Sequence, residues 1–289
     1  MSGTAIQNVS DTAIGVAYYR AQETARRDAL FRDPLAAELA GERGPVVAAS
    51  MPAPAIGVQI IAIRTCIIDD FIREAIAGGV DTVLNLGAGL DTRPYRLKLP
   101  ASLFWVEVDF PQMIDYKESK LAEQTPQCVV QRLKVDLSDD AARRQALAKV
   151  DAAGKKILVL TEGVITYLTE EQVGALADDL RKMRHACFWI AEYFSPEFLR
   201  MRQRKDIQET LKNAPFQFAP KDWFGFFLAH GWRKKEIRYI YEVAERLRRP
   251  LQLPFVTRLF LGIRSIFATA EARQRLRRFQ GHILLEPNR

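Results

Sequence analysis

Two glycines one residue apart, Gly87 and Gly89, follow the apolar run Val83-Leu84-Asn85-Leu86, with Ala88 between them. Absent side chains let a chain turn tightly and let its backbone approach a ligand closely. The next apolar run, FWVEVD, ends in Asp109, about 20 residues on, where an acid accepts hydrogen bonds from ribose hydroxyls in open parallel sheets. Glu107 competes by spacing alone; strand alternation puts both acids on the same side, with Asp109 nearer the open end. A dinucleotide turn reads G-x-G-x-x-G, the third glycine allowing close helix packing under a pyrophosphate. Here that position is Thr92, followed by Arg93-Pro94, so a diphosphate is less well served. A G-x-G pair alone is also compatible with a purely structural turn.

These residues need elements to hold them. From Thr82 onward short apolar runs (TVLNLG, LFWVEVD, CVVQRLKVD, ILVLTEG, CFWIAEYF) alternate with helical stretches such as PQMIDYKESKLAEQ and TEEQVGALADDLRKM. The order β-α-β-α-β-α-β-α-β predicts a parallel sheet covered by helices on both faces. Before it, Asp11 precedes an apolar-periodic run, and Pro34, Pro45, Pro52 and Pro54 break the chain into short helices. A helix from about Ile60 to Ala77 then places Ile63, Ile67, Phe71 and Ile72 on one face and ends at Gly78-Gly79. After the alternating region come the segment Ser195 to Pro220, an aromatic helix KDWFGFFLAHG, and two further strands, WRKKEIRYIYEV and HILLEP, around a helical insertion from Val256 to Phe279. The spacing predicts one domain over 1–289: a helical cap at 1–80, a ligand-binding core at 81–194, a lid at 195–220 and C-terminal helices and strands at 221–289.

The 289 residues, 48% hydrophobic and 27% charged, are enough to bury a large core. No run approaches the roughly 20 apolar residues of a membrane span, and the start lacks a secretory pattern, so a cytoplasmic protein is expected. Cys66, Cys128 and Cys187 lack paired spacing and read as buried free thiols. The sequence shows no metal-ligand spacing, and no metal is expected. The net charge of +7 is concentrated in the last third, among Arg233, Lys234, Lys235, Arg246, Arg248, Arg249, Arg273, Arg275, Arg277 and Arg278. That field suits an acidic substrate, an anionic membrane or nucleic acid, against the plainer alternative of a solvated surface.

With these residues in view, the chain resembles the leucine carboxyl methyltransferase family, and more closely its bacterial branch, which includes polyketide-type O-methyltransferases. The resemblance rests on NLGAGLDTRPYRL, whose DTRxxR continuation is specific. It rests also on RAQE with FRDP, IAIRTCIIDDFI, VEVDFPQMIDYK, the DLS after the third strand, and TEGVITYLTEEQV, in order from about residue 17 to 175. It implies a Rossmann-like class I methyltransferase fold: a mostly parallel seven-stranded sheet with a terminal antiparallel strand pair and an N-terminal helical cap. It implies S-adenosyl-L-methionine as cofactor. On this resemblance Arg64 holds the methionine carboxylate, Gly87 meets the cofactor with its backbone, Asp109 takes the ribose, and Asp136 and Leu137 flank the adenine. Glu162 lies beside cofactor and acceptor, and Arg20 near the methionine end. Asp91 and Arg93 brace the turn with an ion pair. No substrate pattern can be matched after residue 175.

Methyl transfer from a sulfonium is an in-line displacement with a strong leaving group already in place, so positioning and water exclusion carry much of it. A carboxylate acceptor needs no base, whereas a hydroxyl would. His185, His230 and His282 read as surface or capping histidines, and no catalytic base is assigned. Tyr167, Tyr193, Phe216 and Phe218 lie where an acceptor could sit, the alternative for the tyrosines being core or rim aromatics. Phe255, Leu259, Phe260, Ile263, Ile266 and Phe267 form either a core helix or an amphipathic membrane helix. The expected activity is methylation of an oxygen, carboxylate or hydroxyl, on a small polyketide-like acceptor, with no membrane span and the oligomeric state open. Two rivals remain: a non-catalytic cofactor-binding or nucleic-acid-associated protein, which the matching site residues disfavour, and a nicotinamide oxidoreductase, which Thr92 disfavours.

Overall fold

The computed structural model describes residues 9–51, 54–202, 213–252 and 269–288. Helices α1 (Val9–Thr24), α2 (Ala36–Ala40), α3 (Gly44–Ser50) and α4 (Pro54–Ala77) precede the sheet. Asp11 lies in the first turn of α1, where its buried carboxylate accepts from Arg43 at 2.6 Å and ties α1 to α3. Helix α4 begins six residues before the expected Ile60, at Pro54. A proline costs nothing in the first turn of a helix, where its missing N–H has no partner to lose. The helix ends at Gly78-Gly79, and Gly79 takes the left-handed conformation that closes it.

The core then alternates: β1 (Thr82–Leu86), α5 (Arg93–Arg96), β2 (Phe104–Asp109), α6 (Pro111–Lys120), β3 (Val129–Lys134), α7 (Asp140–Ala153), β4 (Ile157–Leu160), a 3-10 turn (Ile165–Tyr167), α8 (Glu170–Lys182) and β5 (Ala186–Phe194). Helix α7 starts at Asp139, whose side chain accepts two backbone N–H bonds, and α8 at a capping box made by Thr169 and Gln172. There follow α9 (Pro196–Arg202), α10 (Trp223–Ala229), β6 (Trp232–Tyr239), α11 (Ile240–Arg246), α12 (Ala270–Arg277) and β7 (Gln280–Pro287). The run expected as one strand, WRKKEIRYIYEV, divides at Tyr239. Ile240, Val243 and Ala244 recur at helical spacing and bury against the α4 side, so the last turn of apolar residues folds as α11. Of the expected helical insertion, 256–268 and the apolar stretch from Phe255 to Phe267 lie outside the described residues; α12 covers its later part.

The sheet order is β3-β2-β1-β4-β5-β7-β6, with β7 antiparallel to both neighbours. This is the class I methyltransferase fold. Side-chain alternation divides the core in two. Leu84, Leu86, Val159, Trp189 and Ala191 face a cluster closed by α7, α8 and α10, while Val83, Leu158, Leu160, Ile190 and Leu284 face α4 and α11. Among the described residues no helix is long and apolar enough to cross a membrane. The three cysteines are free; burial pushes the Cys66 thiol up to about 12 and the Cys128 and Cys187 thiols to about 11, so all three stay protonated and unreactive. The basic residues of the last third are largely paired on the surface, Arg233 and Lys235 with Glu286, Arg275 with Glu271, and Arg277 with Glu245.

Candidate active site

A cavity of about 510 Å³ opens at the carboxyl ends of β1 and β4, where the strand order reverses, roofed by α1, α4, α9 and the residues flanking α9. Its wall follows from the alternation that sorts the core. The residues that continue the α4-facing rows past the apolar layer are polar: Asn85, Glu162, Glu192 on β5 and His282 on β7. Arg64 descends on them from α4, donating from Nε to Glu162 at 2.7 Å.

The glycine turn is built for close approach. Gly87 and Gly89 both have positive φ, and a Cβ on Gly87 would come within 2.4 Å of Val164. Asp109 braces the turn, accepting from Gly89 N–H at 2.6 Å and Phe110 N–H at 2.7 Å. Burial raises its carboxyl above the usual range against those two bonds. Glu107, the competing acid, is consumed in the interior by Lys117 at 2.7 Å and Arg132 at 2.9 Å and does not reach the cavity.

Behind the turn lies a buried ion network. Arg93, 3% exposed, meets Asp69 at 2.7 Å, Asp91 at 2.9 Å and Glu162 at 2.6 Å. Asp69 also takes Arg96 at 2.6 Å, and Asp91 takes the Asn85 amide at 2.9 Å. The ion pair expected between Asp91 and Arg93 is present, within a larger network. Burial alone would raise the Glu162 carboxyl; the Arg64 and Arg93 guanidinium groups overcome it and hold it well below the usual range. Asp91 is likewise lowered, Arg93 outweighing its burial. Arg20 clamps the cap onto the turn, donating to Asp33 at 2.8 Å and to the Leu90 carbonyl at 2.6 Å.

The cavity brings together Arg20, Arg64, Gly87, Ala88, Gly89, Asp109, Asp136, Leu137 and Glu162, and with them Tyr167 and Phe216. Asp136 is exposed and turns its Oδ1 to the Ser138 N–H at 2.8 Å, while Asp139 caps the helix that follows. Two expected acceptor residues lie elsewhere. Tyr193 is one residue from Glu192 on the same strand, so alternation sends it to the opposite face, among Trp223, Phe224 and Tyr239. Phe218 is buried against Phe226 and Phe227 in the same core. The histidine expectation also needs correction at one position. His185 and His230 pair with Asp151 and Asp178 near helix ends, but His282 is buried on the cavity wall. Burial, reinforced by Arg64, pushes its pKa down to about 3. Glu192 was not anticipated, although a lone carboxylate in the middle of the apolar run CFWIAEYF is a visible signal.

The helix after the turn, α5, is four residues long and is preceded by the Asp91 carboxylate. A diphosphate needs the free N–H groups and positive end of a longer helix there, which this turn lacks. The leucine carboxyl methyltransferase model matches residues 13–181. The chain belongs to the leucine carboxyl methyltransferase family. Over 275 residues it is 31% identical to a Mycobacterium avium (strain 104) protein described as "Putative S-adenosyl-L-methionine-dependent methyltransferase", spanning 86% of this chain and 87% of the relative. A Frankia alni relative with the same description is 31% identical over 268 residues, spanning 88% of this chain and 93% of its own length. A solved duf574 family protein from Streptomyces avermitilis is similar in fold, with a TM-score of 0.53 at 14% identity, covering 94% of this chain and 96% of that one. The family match covers the cap, the glycine turn and β4; β5 to β7 and the aromatic end of the cavity lie beyond it.

Proposed function

We propose that this methyltransferase moves the methyl group of S-adenosyl-L-methionine to an oxygen of a small, apolar, polyketide-like acceptor. One observation carries the cofactor assignment: a single cavity presents the glycine turn, an acid at the end of β2 and an arginine whose outer nitrogens are uncommitted. Arg64 uses only Nε on Glu162, and among the described residues its terminal nitrogens donate no hydrogen bond. They suit the methionine carboxylate, which a guanidinium holds with parallel bonds. Gly87 and Gly89, where a Cβ would press on Val164 and Ala13, offer the cofactor bare backbone. Asp109 takes the ribose hydroxyls, and Asp136 and Leu137 take the adenine amino group and face. Glu162 holds Arg64 in position, and Arg20 fixes the cap over the methionine end.

When bound, the cofactor supplies an electrophilic methyl carbon on a good leaving group. The protein's own contribution is to align the acceptor oxygen with it and to exclude water. Helix α1 and residues 195–202 and 213–220 act as the lid; residues 203–212 of the expected lid lie outside the described residues. Phe216 packs edge-on to Tyr167, with ring centroids 5.4 Å apart, and lines the acceptor end with Phe194 and Phe198.

Phe216 on the cavity wall and Phe218 in the core should respond differently to truncation. Phe216→Ala is expected to raise the acceptor KM with little change in melting temperature, because its ring faces the cavity. Phe218→Ala is expected to cost about 3–5 kcal/mol of stability, the usual loss for a buried aromatic, and to lower the melting temperature. Thermal melts and acceptor titrations of both variants decide the matter; an unchanged KM in Phe216→Ala would remove it from the acceptor pocket.

A further inference from the structure

Among the described acids of the cavity wall, Glu192 is the one that keeps a buried oxygen unpaired; Asp136, which also bonds through one oxygen, is exposed to solvent. Asp91, Asp109 and Glu162 spend both oxygens on protein donors. Glu192 is 3% exposed and spends one, Oε1, on the Gly163 N–H; Oε2 is buried without a hydrogen-bond partner. A buried polar oxygen left unpaired costs stability, so such an oxygen at a cavity wall is a place for a ligand donor. Strand alternation aims the side chain to the α4 side, and the register sets His282 directly across from it on β7.

The groups that face Glu192 decide which donor. Arg64 approaches from α4 and Glu162 from the end of β4; Tyr167 adds a phenol from the 3-10 turn, and Arg202 closes α9. His282 is neutral. Arg64 holds Glu162 through Nε and keeps its outer nitrogens for the methionine carboxylate, and Arg202 lies over the rings of Phe198 at 5.0 Å and Phe216 at 4.7 Å. An acceptor carboxylate at Oε2 would set a third carboxyl group beside Glu162 and Glu192. A hydroxyl would instead donate the hydrogen bond that Oε2 lacks.

Resting on the cofactor reading above, we propose that Glu192 is the catalytic base of this enzyme and that its acceptor is a neutral hydroxyl, phenolic or enolic, on an apolar body. The acceptor oxygen forms the new C–O bond as the methyl carbon–sulfur bond breaks with its electron pair to sulfur. The O–H proton passes to Glu192 Oε2, leaving a methyl ether, the thioether and a protonated carboxyl group that later releases its proton to solvent. Burial pushes the Glu192 carboxyl up to about 7, partly offset by Arg64 and the Gly163 N–H, which places it where a base for near-neutral operation is most effective. The ionised form is the active one, so the rate falls as pH drops through about 7.

The test uses the full chain and Glu192→Gln, which keeps an acceptor for the Gly163 N–H. S-adenosylhomocysteine binding is measured first by calorimetry, then transfer of a tritiated methyl group to naphthol and, separately, to naphthoic acid across the pH range around neutrality. The expected result is naphthol methylation with an ascending limb near pH 7, and a Glu192→Gln rate about 100-fold lower or worse with that limb gone. S-adenosylhomocysteine affinity is expected to be equal in both proteins. Preferential methylation of naphthoic acid, transfer to neither by a protein that binds S-adenosylhomocysteine, or a Glu192→Gln enzyme with the wild-type pH profile would each overturn the proposal. Absence of S-adenosylhomocysteine binding in the wild type would instead sink the cofactor reading beneath it.

Discussion

Arg93→Leu is expected to lose about 3–5 kcal/mol of folding stability, the range for removing one partner of a buried ion pair. The side chain is 3% exposed and touches three carboxylates, from α4, the glycine turn and the end of β4. Without it, Asp69 keeps Arg96 and Glu162 keeps Arg64, while Asp91 is left buried with the Asn85 amide and the backbone N–H of residue 93 as its donors. A loss of this size is a large part of the 5–15 kcal/mol that holds a typical domain, about which urea unfolding followed by tryptophan fluorescence gives a direct answer. Arg93→Lys should recover only part of it, since one ammonium cannot serve three acids in the plane that the guanidinium fork spans. The pH dependence has a definite sign. Asp91 and Glu162 are both held below their ordinary values, so their contribution is complete above the unfolded carboxylate range, near pH 4, and is lost as pH falls further toward their folded values. Arg93→Leu should therefore flatten the acid limb of stability.

Arg64→Ala is expected to weaken S-adenosylhomocysteine binding by about 30-fold or more while leaving the fold intact, because truncating one partner of a desolvated charge pair costs about 2–5 kcal/mol. Arg64 differs from Arg93 in what it faces. Its side chain is 16% exposed, it has one carboxylate within ion-pair distance among the described residues, and it lines the cavity. Arg64→Lys keeps a charge but loses the second parallel bond, so it should recover little of the affinity. Calorimetry separates the outcomes: undiminished affinity in Arg64→Ala would place the methionine carboxylate elsewhere.

The cofactor half of the cavity was legible because backbone needs and strand order write themselves into residue type. A turn with two positive-φ positions calls for glycine, an acid ending the next strand braces it by accepting the Gly89 N–H, and both sit at fixed spacing from apolar runs. The acceptor half was not. Tyr193 and Glu192 are neighbours in one run, and only the position of the pleat decides which of them faces α4; without the register to β7, either assignment is open. His282 opens the run HILLEP and reads as a surface or capping residue, yet β7 inserts beside β5 and buries it. Sequence order could not place a strand from the far end of the chain at that position. Helix α4 is longer than its apolar periodicity indicates because Pro54, which would break a helix interior, is permitted in the first turn. The division of WRKKEIRYIYEV into strand and helix turned on which neighbour, β7 or α4, its last residues would meet.

Calorimetric titration of the purified full chain with S-adenosylhomocysteine, beside NADH and an Asp109→Ala control, tests the central claim most directly. The predicted result is one-to-one binding of the sulfur ligand, weakened by about 10-fold or more in Asp109→Ala as charge-assisted hydrogen bonds are lost, with no heat from NADH. Binding of NADH, absence of S-adenosylhomocysteine binding, or equal affinity in the control would contradict the assignment of this cavity.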